Sequence, residues 1–216
     1  MSAGLIGRSL IIAVDGPAAS GKGTLAKRLA THFALPALDT GLLYRAVGQK
    51  MRDEGHDLDD ATAATAIARR FEAAWLADER LRERLAGEAA SRVAKVNPVR
   101  EALRDFQQSF AHQPGGAVLD GRDIGTVIAP DADAKLWIDA DVAVRAGRRF
   151  RELTSRGEAV TEADILADLV ARDARDAPNM VIADDATRID TSHLGIEEAF
   201  AAALAAVLKA SGAQHG

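Results

Sequence analysis

The chain has 216 residues, 48% hydrophobic and 27% charged, with a formal net charge of −5 from 32 acidic and 27 basic side chains. That length and balance fit one globular domain with a sizeable core, and the acidic sum argues against a protein held to nucleic acid by phosphate contacts. Cysteine is absent, which removes disulfides, thiolate metal sites and cysteine nucleophiles.

Taken in chain order, strands and helices alternate. Ser9–Asp15, "SLIIAVD", is a short aliphatic run ending at a glycine and reads as a buried parallel strand. From Gly21 the period changes, and Leu25, Ala26, Leu29, Ala30 and Phe33 fall on one helical face. "ALPALDTG" makes a short strand and turn, and Leu42–Met51 a second helix. Residues 52–98 contain no convincing strand; they are rich in alanine and charge and predict surface helices inserted between the second and third strands. "GGAVLDG" (Gly115–Gly121), "AKLWIDA" (Ala134–Ala140) and "ATRIDTS" (Ala186–Ser192) predict three more strands, before an amphipathic helix over Ile196–Leu208. Strands separated by helices imply a parallel sheet covered on both faces. Trp75 and Trp137 read as packing residues, and His32, His56, His112, His193 and His215 are scattered, with no pair at metal-ligand spacing. The apolar run Leu10–Val14 is too short for a signal peptide. No stretch approaches the roughly 20 apolar residues of a membrane span, so a cytoplasmic protein without membrane contact is expected.

The stretch "DGPAASGKGTLAKRL" carries the first chemistry. Gly16, Gly21 and Lys22 have the spacing of a phosphate-binding loop, G-x-x-x-x-G-K, between a predicted strand and an amphipathic helix. In that context backbone N–H groups of the loop and helix N-terminus converge on phosphate oxygens, and Lys22 supplies a point charge. The residue after the lysine is usually a hydroxyl that ligates Mg²⁺; here it is Gly23, and Thr24 follows one step late. One residue along a helix is a rotation of about 100°, so Thr24 is expected on the phosphates rather than on the metal. No metal site made of side chains alone is expected, and Mg²⁺ should be held mainly by phosphate oxygens and water. G-K-G-T resembles the loop of the nucleoside monophosphate kinases.

Four other segments supply a second ligand's contacts. "LDTGLLYR" presents Thr40 and Arg45, "NPVREAL" Arg100, "LDGRDIGTVIAPDA" Asp120, Arg122 and Asp123 past the end of a strand, and "ARDARD" Arg172, Arg175 and Asp176 on a helix. In this order, together with "GEAASRVAKVNPVREAL", the motifs resemble those of the bacterial cytidylate kinases, within the P-loop nucleoside monophosphate kinase family, over nearly the whole chain. The resemblance implies an α/β fold of three layers around a parallel five-stranded sheet. It implies a core of about 1–51 and 99–216, an inserted CMP-binding subdomain of about 52–98, and a short lid of about 145–165.

It also implies transfer of the γ-phosphoryl group of ATP to CMP or dCMP by a monomer. The ATP-site candidates are Gly16, Pro17, Ala18, Ala19, Ser20, Gly21, Lys22, Gly23 and Thr24, with Arg148 and Arg149 from the lid stretch "RAGRRFRELTSRGE". Arg45 and Arg122 would hold the CMP phosphate, Arg172 and Asp176 the ribose, and Thr40, Arg100 and Asp123 the base; Lys22 and Arg122 are the candidate catalytic residues. The chain departs from the family pattern twice. The segment after Asp176, "APNMVIADDATRIDTS", lacks an arginine common there, and residues 61–85 show little counterpart of a β-hairpin.

Other classes fit less well. A GTP switch would carry N-K-x-D, and neither Asn97 nor Asn179 precedes a lysine. An adenylate or shikimate kinase would share the loop but not "DGRDIGT". A non-catalytic nucleotide-binding module has no need of a second arginine-lined site.

Overall fold

A computed structural model describes residues 9–212; His215 and the outer ends of the expected domain span lie outside them. The chain runs β1 (Leu10–Asp15), α1 (Lys22–Phe33), β2 (Ala37–Asp39), α2 (Gly41–Asp53), α3 (Ala61–Arg69), α4 (Arg84–Val93), α5 (Asn97–Ala111), β3 (Gly116–Gly121), β4 (Ala134–Asp139), α6 (Val142–Ser155), α7 (Glu162–Asp176), β5 (Thr187–Asp190) and α8 (Ile196–Ala210). The five strands form one parallel sheet in the order β2-β3-β1-β4-β5. In this register Asp39 lies beside Asp120, and Asp15 beside Gly121. Three carboxylates therefore stand at or next to the C-terminal ends of neighbouring strands, the edge where open α/β sheets bind ligands.

Every residue of β1 and β3 is buried, as expected of strands covered on both faces. The alternation along β1 sorts its side chains. Leu10, Ile12 and Val14 pack with Leu25 and Leu29 of α1 and Ala203 and Val207 of α8. Ile11 and Ala13 pack on the other face with Leu119, Ala111 and the partly buried Phe106 and Phe110 of α5. Trp137 is buried in β4, and Trp75 packs edge-on against Phe71, so both tryptophans are packing residues.

The expected insertion is helical. Residues 61–85 hold α3, two 3-10 turns (Ala73–Ala77 and Glu79–Arg82) and the start of α4, and no strand is found among them. Its core joins Leu43, Val47 and Met51 of α2 to Ala64 and Ile67 of α3, Val93 of α4 and Leu103 of α5. The expected lid region spans most of α6 and the start of α7, which pack through Ala146, Leu153, Ile165 and Leu169 against Ala18 of the loop after β1.

Helix α4 packs on α2 where Gly48 lies against Ala89: a Cβ there would sit 2.8 Å from the Ala89 Cβ. Gly48→Leu is expected to force the helices apart and lower the free energy of unfolding by about 1–3 kcal/mol, the usual cost of overpacking. Urea unfolding measures it; an unchanged or raised midpoint contradicts this packing.

Candidate active site

The loop between β1 and α1 is shaped by its backbone. Gly16 (φ 149) lies against β4, and a Cβ on it would come within 2.0 Å of the Ile138 carbonyl oxygen, so glycine alone passes there. Ala19 (φ 60) and Gly21 (φ 94) then turn the loop over the start of α1, which no side chain caps. The free N–H groups and positive dipole end of that helix form an anion-binding terminus.

A cleft of about 590 Å³ lies over this terminus. Its walls include Ala18 through Thr24, then Asp39, Arg45, Asp120 and Arg122, and from the lid region and C-terminal segment Arg148, Arg149, Arg172, Thr191 and Ile196. Gly16 and Pro17 are buried behind the loop and do not reach the wall; their service is to the loop's path. Arg149 pairs with Glu152 at 2.8 Å, and Arg151 is exposed and off the cleft.

Gly23 explains the departure at the position after the lysine. A Cβ on Gly23 would lie 3.1 Å from Oδ2 of Asp120, so a serine or threonine here would press on that carboxylate. The space a hydroxyl occupies in other loops borders an acid. Among the described residues no three His, Asp or Glu side chains converge as a cage. One or two carboxylates are the share a protein gives to Mg²⁺ that keeps its waters and its substrate phosphates, and Asp39 and Asp120 fit that share.

The second pocket adjoins the first. Thr40, Tyr44, Ser91, Arg100, Arg122, Asp123, Arg172, Arg175, Asp176 and Asn179 line it. Thr40 Oγ1 donates to the Asp120 carbonyl at 2.8 Å, Arg100 Nη2 donates to Asp123 at 2.5 Å, and Arg122 Nε donates to Asp176 at 3.0 Å. Arg172 lies 3.5 Å from the same carboxylate, and its Nε is buried without a hydrogen bond. These pairs fill the pocket and leave about 50 Å³ of free space, the room of one or two waters. Arg45 stands apart on the first cleft, where Nη1 donates to the Leu81 carbonyl at 2.7 Å. Arg122 and Arg172 belong to both walls.

The electrostatics follow from crowding. Burial, then the neighbouring Arg122, holds the Lys22 ammonium well below the ordinary lysine range, against the pull of Asp120 and Asp39. Burial and the adjacent Asp39 push Asp120 up. Arg172 is brought down to about 10 by burial and by Arg122. Burial also raises Asp176, but Arg122 and Arg172 more than offset it and leave that carboxyl below the usual range.

Several of these residues lie outside the set that the sequence singles out. Ser91 accepts from Nε of Arg175, which the sequence places in the "ARDARD" cluster, at 2.9 Å and lies 3.4 Å from Asp176, while Asn179 stands on the wall in the segment that lacks the extra arginine. Arg145, at the base of the lid region, is buried and bound to Asp173 and to the carbonyls of Ala18 and Ala140. Asp15 accepts from the Ile124 and Gly125 N–H groups at 2.9 and 2.8 Å, which ties the strand before the loop to the segment after Asp123. The position of Asp15 as the last residue of β1 was the available signal.

The model of the family described as cytidylate kinase matches residues 12–209. The chain belongs to the cytidylate kinase family. It is 57% identical over 202 residues to a cytidylate kinase of Xanthobacter autotrophicus, covering 92% of this chain and 97% of that one. Identity to a cytidylate kinase of Methylobacterium sp. is 58% over 202 residues, or 92% and 96% of the two chains. Against a cytidylate kinase of Azorhizobium caulinodans it is 55% over 207 residues, covering 94% of this chain and 100% of the other. A crystal structure of an uncharacterized protein from Eubacterium ventriosum shares the fold, with a TM-score of 0.52 and 16% identity over 96% of this chain and 100% of that one.

Within this member of the family, Asp15 generates a pH prediction. Burial raises its pKa to about 6 against the lowering effect of the two N–H groups. Between about pH 4, where the unfolded carboxyl ionises, and about 6, the folded chain keeps a proton that the unfolded chain has lost. Stability from this group is therefore full below pH 4 and is lost as pH rises through 6. Asp15→Asn removes the effect, so the stability of the parent minus that of the variant should fall between pH 5.0 and 7.5. Urea titrations at both values test it; a pH-independent difference contradicts the assignment.

Proposed function

We propose that the chain transfers the γ-phosphoryl group of ATP to CMP or dCMP, giving ADP and CDP or dCDP. The observation that carries this reading is the double membership of Arg122 and Arg172, which border both the loop cleft and the second pocket. A phosphate held by Arg122 on this shared wall, with Arg172 left to the ribose, lies on the same cleft as Lys22. Phosphoryl transfer asks for positioning and charge neutralisation more than for covalent help, and the attacking CMP phosphate is already anionic, so no general base is needed.

In this reading ATP lies with its phosphates on the loop from Ala18 to Thr24. Lys22 neutralises the transferring group, and Arg148 and Arg149 close the cleft from the lid, about residues 145–165. Arg45 and Arg122 hold the CMP phosphate; their guanidinium forks match paired oxygens and do not lose their charge. Arg172 and Asp176 serve the ribose. Thr40, Arg100 and Asp123 border the cytosine: Asp123 accepts from the exocyclic amine, and Arg100 orients that carboxylate while offering donors to the ring acceptors. Asp39 and Asp120 are the residues that would hold Mg²⁺ on the donor phosphates, through water, and when bound the ion supplies charge neutralisation. CMP enters as Arg122 exchanges the Asp176 carboxylate for ligand oxygens and the inserted subdomain, about residues 52–98, moves aside. Lid and insertion then close over both nucleotides and exclude water.

We place this activity in pyrimidine nucleotide metabolism of the cytoplasm, carried out by a monomer on free nucleotides and without membrane or nucleic-acid partners. No helix of the described residues is long and apolar enough to cross a membrane.

Cytosine presents an amine where uracil presents a carbonyl, so Asp123 attracts the first and repels the second. A buried polar mismatch costs about 1–3 kcal/mol, or roughly 5- to 150-fold in kcat/KM. In an assay of ADP release, CMP and dCMP are expected to be good acceptors, UMP poorer by that factor, and AMP excluded by size. Asp123→Asn, whose amide offers a donor to the uracil carbonyl, should narrow the CMP-over-UMP ratio. An equal ratio in parent and variant would remove Asp123 from the base contact. Absence of CMP phosphorylation by the parent would overturn the function itself.

A further inference from the structure

Thr191 is the first residue after β5 and is 3% exposed. Its N–H donates to the Asp139 carbonyl at 2.8 Å, which fixes it to the end of β4. Its hydroxyl has one hydrogen, shared between the Ser20 carbonyl at 2.9 Å and the Asp139 carbonyl at 3.0 Å. A lone pair of the same oxygen accepts from Arg148 Nη1 at 3.0 Å, and the Thr191 carbonyl accepts from Arg148 Nη2 at 2.6 Å. A longer contact of 3.4 Å joins Nη1 to the Ser20 carbonyl. One residue thus grips both ends of a guanidinium fork with its main chain and its side chain.

The three parts joined here have different duties. Ser20 belongs to the phosphate loop, Asp139 to the rigid sheet, and Arg148 to α6 of the lid region. Arg148 and Thr191 both line the donor cleft, beside Leu194, Gly195 and Ile196. Arginine carries large rotamer entropy, and a fork fixed in one plane loses less on meeting a ligand. A threonine hydroxyl that accepts from the arginine while donating to the loop makes the orientation of Arg148 depend on the conformation of the loop.

We propose that Thr191 is a positioning residue for the donor nucleotide: it holds Arg148 at the cleft in register with the phosphate loop and so couples the lid to that loop. This rests on the reading of the loop cleft as the ATP site. It adds to that reading a residue that need not touch the substrate.

Thr191→Val keeps the shape and removes the hydroxyl. It should raise KM for ATP about tenfold, since a charged hydrogen bond is lost, and leave KM for CMP within twofold; Thr191→Ser should restore the parent value within twofold. A mere fold staple would behave otherwise in a double-mutant cycle with Arg148→Ala. If Thr191 acts through Arg148, Thr191→Val adds less than twofold once Arg148 is gone. The same tenfold cost in both backgrounds overturns the proposal. Arg148→Ala also tests it alone should Thr191→Val fail to fold: an unchanged KM for ATP removes the residue through which Thr191 would act. Calorimetry with a non-hydrolysable ATP analogue reads the same effects as Kd without an acceptor, so a failure to phosphorylate CMP is distinguishable from a failure of this coupling.

Discussion

Crowding of half-buried cations governs this site. Lys22, Arg122 and Arg172 share one cleft, and Arg122 is the leading cause, after burial, of the lowered values of both Lys22 and Arg172. Asp39, Asp120 and Asp176 offset part of that repulsion. The cleft therefore stands short of negative charge, and the missing charge is what phosphate groups bring. An electrostatic site assembled before its ligand arrives spends no reorganisation at the moment of transfer.

Holding such a cluster together requires neutral scaffolding that does not compete for the charges. The sheet supplies it. Asp15 ends β1, Asp120 precedes the last residue of β3 and Asp39 ends the short β2. Strands β1 and β3 are buried throughout and β2 buries Leu38, so each carboxylate is carried on a strand of the sheet. Asp15 spends both oxygens on backbone N–H groups of the segment that carries Arg122 and Asp123. Arg145 spends its fork on Asp173 and the loop carbonyls at the root of the lid region. These satisfied pairs are framework, while Arg172, 3.5 Å from Asp176 and with its Nε unpartnered, is available to a ligand.

The sheet was legible in the sequence because buried parallel strands are continuous aliphatic runs bounded by glycine or aspartate, as in "LIIAVD" and "AVLDG"; observed ends differ from the expected ones by one or two residues. The region from residue 52 to 98 was legible only as helical. Its alanines satisfy several periods at once, and the two 3-10 turns between α3 and α4 follow from tertiary packing around Leu81. Spacing identified the phosphate loop but not the division of labour inside it: Gly16 serves close approach to β4, and Gly23 makes way for Asp120. Ser91, Arg145 and Thr191 left little local signal, since Arg175, Asp173 and Ser20, with which their side chains bond, lie 84, 28 and 171 residues away.

The state of Lys22 tests the account most directly. Nitrogen NMR of its ammonium in the free protein should give a midpoint well below the ordinary lysine value of about 10.4, and a non-hydrolysable ATP analogue should move it upward as phosphate charge replaces the arginine field. A midpoint near the ordinary value in the free protein, unmoved by the analogue, would contradict a cleft built on unmet positive charge.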